Sequence, residues 1–275
     1  VLQDVTASEA DGNKPEVELD PSQVQVDLPS KFVFYPFSSL SVKPIKGVHQ
    51  AKFARSAKEK SSRHMADAIS TLLPGHISAY DLTLPDYYWL LYFLRLTFYP
   101  KSKLIHTSVC TNPDHVLEVA NKTKPQDSLL TVTTVSKSVI KDTVFDRVSA
   151  FEGFDPDGTL PSLKEAFQLK LSPTTVRDMV ELETMYSEEE NNPDFQETEY
   201  LADLAGFVQS VEGPRLSLAA RIELVKEFSP EQVSLVEDYR DRVSNYGAEE
   251  TIVVRCGECG AEIKTSVSIS AHSFL

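Results

Sequence analysis

The chain has 275 residues, 41% of them hydrophobic and 25% charged, with a formal net charge of -14. That balance belongs to folded proteins with a conventional core, and the length accommodates one large or two modest domains. The excess of carboxylates disfavours nucleic acid as the main partner, because phosphate backbones are bound chiefly by surplus Lys and Arg.

Residues 1–25 are rich in Asp, Glu, Ser and Pro and poor in large apolar residues, so they read as an extended arm that orders only against a partner. They lack the basic and then apolar pattern of a secretory signal. From 26 to 45, short extended pieces are broken by Pro29, Pro36 and Pro44. Residues 51–73 carry Phe53, Ala57, Met65, Ala68, Ile69 and Leu72 at helical spacing, which predicts one helix ended by Pro74 and Gly75. A second helix is expected over 83–98, with Thr83 at its N-cap, Pro85 in the first turn and Asp86 near the positive end of the dipole. Its residues are apolar or aromatic nearly all round, the pattern of a helix buried on most sides. The apolar run 87–99 contains 13 residues, too short for a bilayer span of roughly 20.

Residues 103–110 and 129–135 read as strands, being rich in Val, Ile, Leu and Thr. Helices follow from Ser172 and Pro173, over 198–211, from Ser217, and after Ser229-Pro230-Glu231-Gln232, whose Ser and Gln form a capping-box pattern. The acidic stretch 187–196 reads as a loop. Strands resume at 251–255 and 261–269. The expected fold is therefore α+β: a small antiparallel sheet with a split zinc-ribbon-like element and an inserted helical block. The expected divisions are an arm over 1–25, an α+β domain over 26–150 with the buried helix 83–98, the helical insert over 151–248, and strands over 249–275 that complete the first domain.

Charge is unevenly distributed. Lys43, Lys46, Lys52, Arg55, Lys58, Lys60 and Arg63 make one basic block, and residues 178–199 are almost purely acidic. Such blocks are either solvated faces or complementary docking surfaces in a multi-subunit assembly.

The sharpest chemical signal is Cys256-Gly257-Glu258-Cys259-Gly260 between two apolar runs, the arrangement by which a knuckle presents two thiolates to zinc. Cys110 is the remaining cysteine. An odd count without an export signal points away from a disulfide framework and toward reduced thiols in the cytosol. Cys110 and His115 with Cys256 and Cys259 would complete a Cys3His shell around a structural zinc. His106 is the weaker fourth ligand, because four residues of strand place it roughly 13 Å from Cys110. A metal-free turn and a redox pair are the competing readings; the β-branched run 251–254 disfavours the latter, since redox pairs usually open a helix. Asp114 and Glu258 are read as solvated rather than as catalytic bases beside the metal.

Other catalytic patterns are absent: no Walker loop, dinucleotide fingerprint, nucleophile elbow, kinase set or His-Glu-x-x-His. His49, His64, His76 and His272 stand alone and read as surface or core residues. The helices from 217 to 243 have the order of a helix-turn-helix, but Glu231, Glu237, Asp238 and Asp241 make a poor major-groove face.

Several stretches together give a family resemblance. They are Val26-Asp27-Leu28-Pro29-Ser30-Lys31, the run from Tyr80-Asp81-Leu82-Thr83 through Leu91-Tyr92-Phe93-Leu94-Arg95-Leu96, Cys110, the terminal Cys256 and Cys259, and Phe274-Leu275. From about residue 25 onward the chain resembles the T4-type phage baseplate protein family, the hub or wedge components of contractile tails. The resemblance implies a non-enzymatic structural protein of the virion tail baseplate, assembled in the host cytoplasm. Its partners would be other baseplate proteins, with several copies per assembly and with neither membrane nor direct nucleic acid contacts. The departure from the family pattern is at Cys110, which has His115 rather than a second cysteine nearby. The alternative is a zinc-ribbon regulatory protein that binds nucleic acid or transcription machinery.

Overall fold

The computed structural model describes residues 23–99, 104–109, 116–121, 132–133, 144–145, 169–189, 195–210, 215–243, 246–248, 251–255, 262–266 and 269–275. The fold is mixed, with helices and small antiparallel sheets, the α+β class expected from the sequence. Most of the expected arm lies outside the described residues, but Val24 and Gln25 belong to the fold. They begin β1 (Val24–Asp27), which pairs antiparallel with β2 (Ser39–Val42), Val24 opposite Val42. Alternation supplies the inward face: Val26, Leu40 and Val42 are buried, whereas Gln25 and Asp27 are exposed.

The single helix expected over 51–73 is two, α1 (Gly47–Glu59) and α2 (Ser62–Ser70). Lys60 between them is left-handed at φ 49° and ψ 41°. On one continuous helix, Phe53 and Ile69 would lie about 160° apart around the axis. The break lets both reach the same core, where both are fully buried. A short 3-10 turn (Ala79–Asp81) then leads into α3 (Leu84–Phe98), whose N-cap is Thr83 as expected.

β3 (Leu104–Val109) and β4 (Val116–Asn121) form an antiparallel hairpin closed by the pair Val109 and Val116. β5 (Val132–Thr133) and β6 (Val144–Phe145) follow. Within the expected helical block the described residues form β7 (Leu169–Leu171), α4 (Val176–Glu189), α5 (Phe195–Gly206), β8 (Val208–Ser210), α6 (Leu218–Lys226) and α7 (Pro230–Val243). It therefore contains strands as well as helices, and β7 lies between β6 and β8 in a three-stranded sheet. The two N-caps read from the sequence are present. Ser217 Oγ accepts from the Ala220 N–H at 3.2 Å. Ser229 and Gln232 bond reciprocally, at 2.9 Å from the Ser229 N–H and 3.4 Å from the Gln232 N–H.

β9 (Gly247–Ala248) returns to pair with β5, and β10 (Thr251–Arg255) pairs with β11 (Glu262–Ser266). Among the described residues, the one small sheet expected from the sequence is thus divided among several. β11 still lies beside β3. Gly247, at φ +104°, is required here: a Cβ would meet Pro85 Cβ at 2.9 Å, and a left-handed backbone strains any other residue.

Two clusters of buried side chains result. The first joins β1, β2, α1, α2 and α3 with Ile269, Ala271 and Phe274. The second joins β7, α5, β8, α6 and α7. α4 spans both, with Val176 in the first and Leu182 and Met185 against the second. The chain ends in a 3-10 turn (Ala271–Phe274) on α1, with the Phe53 and Phe274 rings 4.7 Å apart. Among the described residues, no helix is long and apolar enough to cross a membrane.

Candidate functional site

Between the two cores lies a cavity of about 500 Å³, walled by the start of α3, by α4, α5 and α7, and by Tyr246. Most of its lining is apolar, including Leu84, Met179, Leu182, Phe207 and Val243. Two buried polar clusters flank it, and both bridge segments distant in sequence.

The first centres on Thr83. Its hydroxyl donates to Asp86 Oδ2 at 2.9 Å and accepts from Tyr246 at 2.7 Å and Tyr35 at 3.2 Å. One donor and two lone pairs are all that a hydroxyl offers, so Thr83 is saturated. Its N–H donates to Tyr35 Oη at 2.6 Å, and the Ser30 N–H donates to Asp86 Oδ1 at 3.1 Å. This differs from the expected arrangement. Thr83 bonds the Asp86 carboxylate instead of capping an N–H with its side chain, and Asp86, in the first turn as expected, is fully buried. Burial raises both Tyr35 and Tyr246 well above the ordinary phenol range, and the Asp86 charge adds to this. Both phenols therefore remain protonated donors.

Burial also pushes the Asp86 carboxyl above its ordinary range, outweighing the hydrogen bonds from Ser30 and Thr83 that pull it down. The folded state then holds a proton that the unfolded chain has released. Stability contributed by this group falls as pH rises from the unfolded carboxyl's pKa of about 3.9 through the raised folded value. Denaturant unfolding of wild type and Asp86→Asn across acidic pH should show wild type losing stability relative to the variant as pH rises. A pH-independent difference would mean that Asp86 titrates alike in both states.

The second cluster is ionic. Asp178 Oδ1 accepts from both Arg215 and Arg221, and its Oδ2 accepts from the Thr175 N–H at 2.8 Å and hydroxyl at 2.7 Å. Arg221 is fully buried in α6 and also donates to the carbonyls of Ala205 at 3.0 Å and Val208 at 3.1 Å, which closes the end of α5. Burial draws the guanidinium down from its ordinary value while Asp178 opposes the shift. Arg215 continues to Glu181 Oε1 at 2.9 Å, and Glu181 Oε2 accepts from the Leu218 N–H at 2.7 Å. The front of the acidic block is therefore turned inward. Glu183, next along α4, accepts from the Ser62 N–H at 2.9 Å.

Several polar groups on the cavity wall are hydrogen-bonded. Asp203 accepts from Arg240 at 2.9 Å, Tyr88 bonds Met179 Sδ at 3.5 Å, and Tyr246 bonds Thr83. Asp178 accepts four hydrogen bonds, two on each oxygen, the number of lone-pair sites a carboxylate has. These bonds tie the elements of the wall to one another.

The residues singled out as zinc ligands, Cys110, His115, Cys256 and Cys259, all lie outside the described residues. The elements on either side of them are described. Residues 110–115 connect β3 to β4, and residues 256–261 connect β10 to β11, whose closing pair is Arg255 and Glu262. Each cysteine-bearing segment thus joins two strands of a hairpin. Among the described residues, no group of three or more His, Cys, Asp or Glu is placed to hold a metal ion. Sequence reasoning missed both polar clusters. One signal was present: Leu218, Arg221, Ile222 and Val225 share a helical stripe, so an apolar α6 face must bury an arginine.

Together these features define an α+β scaffold whose central charges bind its own segments to one another. Compared with known proteins, the chain matches no family model, no curated protein and no solved structure.

Proposed function

We propose that the chain is a non-enzymatic structural component of a contractile phage tail baseplate, present in several copies and joined to other baseplate proteins. The observation that carries this reading is the engagement of the charges beside the cavity. Asp178, Glu181, Arg215 and Arg221 all bond one another or backbone groups, as suits a part that must stay rigid. The surface offers contacts: Phe32 at the tip between β1 and β2 and Val48 on α1 are 55% and 60% exposed. The sequence resemblance supplies the particular assembly. Mass spectrometry of purified particles and of baseplate assembly intermediates is expected to find the chain with baseplate proteins. Absence from both, or a reproducible turnover activity that copurifies with the chain, would overturn the reading.

A structural zinc held by Cys110, His115, Cys256 and Cys259 belongs to this proposal. Its support is that the two hairpins carrying these residues are neighbours, β11 beside β3. The metal would contribute a cross-link between two hairpins too small to be stable alone. Elemental analysis is expected to give one zinc per chain, lost in Cys256→Ser. A chain that binds none at stoichiometric zinc removes this part of the proposal and leaves the assembly role standing.

A further inference from the structure

α1 and the residues leading into it carry a basic surface in an acidic protein. Lys43, Lys46, Arg55 and Lys58 are exposed and Lys52 is partly so. Glu59 is the sole carboxylate between residues 43 and 63, and it is engaged by Arg55 at 3.0 Å and His64 at 2.5 Å. Among the described residues, Lys43, Lys46 and Lys52 make no ion pair. Their charges converge on one place, because all three add to burial in lowering the pKa of His49. Val48 lies exposed on the same helix face, one turn from Lys52 and two from Arg55.

The hairpin register fixes what lies next to that surface. Val24 opposite Val42 places the chain entering β1 beside the chain leaving β2, immediately before Lys43. The residues ahead of β1 include Asp4, Glu9, Asp11, Glu16, Glu18 and Asp20 against Lys14. In an extended segment Glu16, Glu18 and Asp20 project to one side. Six extended residues, from Glu18 to Val24, reach about 20 Å, which is also the length of a 13-residue helix.

We propose that the α1 surface formed by Lys43, Lys46, Lys52 and Arg55 is the docking site of the chain's own acidic segment, with Glu16, Glu18 and Asp20 as the contacting groups. Tethering raises the local concentration of this segment into the millimolar range, so even weak charge pairing occupies the surface. The segment then covers the basic surface against other acidic polypeptides. Repulsion within the lysine cluster, which adds to burial in depressing His49, is relieved by the same contact.

The test uses the full 275-residue chain and a fluorescent peptide of residues 8–22 as probe, followed by anisotropy at low salt. Neutralising the segment with Glu16→Gln, Glu18→Gln and Asp20→Asn is expected to raise affinity for the probe about tenfold over wild type, by removing the tethered competitor. Adding Lys43→Gln, Lys46→Gln and Lys52→Gln is expected to abolish that gain, as is high salt. Lys43 and Lys46 are exposed and Lys52 partly so, and circular dichroism should be unchanged; if the triple variant fails to fold, Lys52→Gln alone is expected to give part of the loss. Equal binding of the probe by wild type and the neutralised chain overturns the proposal. So does binding indifferent to the lysines, or competition that vanishes on dilution, which would assign the segment to a neighbouring copy.

Discussion

Asp178→Ala is expected to lower the unfolding free energy by about 3–5 kcal/mol, the usual cost of leaving one partner of a buried ion pair without the other. In a chain of this size that corresponds to a fall of roughly 10 °C in Tm, measurable by thermal melting followed by circular dichroism. The cause is the placement of Arg221. Its guanidinium is fully buried, and without Asp178 it keeps, among the described residues, only the Ala205 and Val208 carbonyls as partners. Arg215 is less affected, because its side chain is 29% exposed and retains Glu181. The paired replacement Asp178→Leu with Arg221→Met removes both charges and is expected to cost less than Asp178→Ala. A loss under about 1 kcal/mol for Asp178→Ala would place this pair with solvent-screened surface bridges.

Thr83→Val keeps the shape of the side chain and removes the hydroxyl at which three bonds meet. The expected loss is about 2–4 kcal/mol, since Asp86 loses a donor and the buried phenols of Tyr35 and Tyr246 lose their acceptor. Denaturant unfolding measures it. Tyr246→Phe removes a single bond and is expected to cost about 1 kcal/mol. The double variant should cost less than the sum, because Thr83→Val has already broken the Tyr246 bond. Strict additivity would show that the two groups do not interact.

How far these features could be read from the sequence depends on the separation of their parts. α3, α6 and α7 announce themselves because the signals at Thr83, Ser217 and Ser229 are local and lie within a turn of the apolar periodicity they open. The break at Lys60 is less visible. Charged and serine residues continue a helical composition there, and only the drift of the apolar stripe from Phe53 to Ile69 betrays two axes. β5 to β9 have two or three residues each, too few for alternation to stand out. The Thr83 cluster could not be read at all. Tyr35 and Tyr246 lie 48 and 163 positions away, and nothing in the local composition marks a tyrosine as a distant partner. For the Cys3His set the sequence supplied residue types and spacing, and the fold adds that residues 110–115 and 256–261 each connect the strands of a hairpin.

The seating of the last turn on α1 has a consequence for how the protein comes into being. Phe274 is nearly fully buried against Phe53, so a core whose other members are mostly encoded before residue 100 is unfinished until residue 274 has been made. During synthesis the ribosome must deliver the whole intervening block while that apolar surface waits exposed, a period when premature association is a hazard. A message truncated anywhere before residue 269 yields a chain whose opening helices are intact in sequence yet have no closing piece. Phe53 and Phe274, encoded far apart, thus answer for a single packing event.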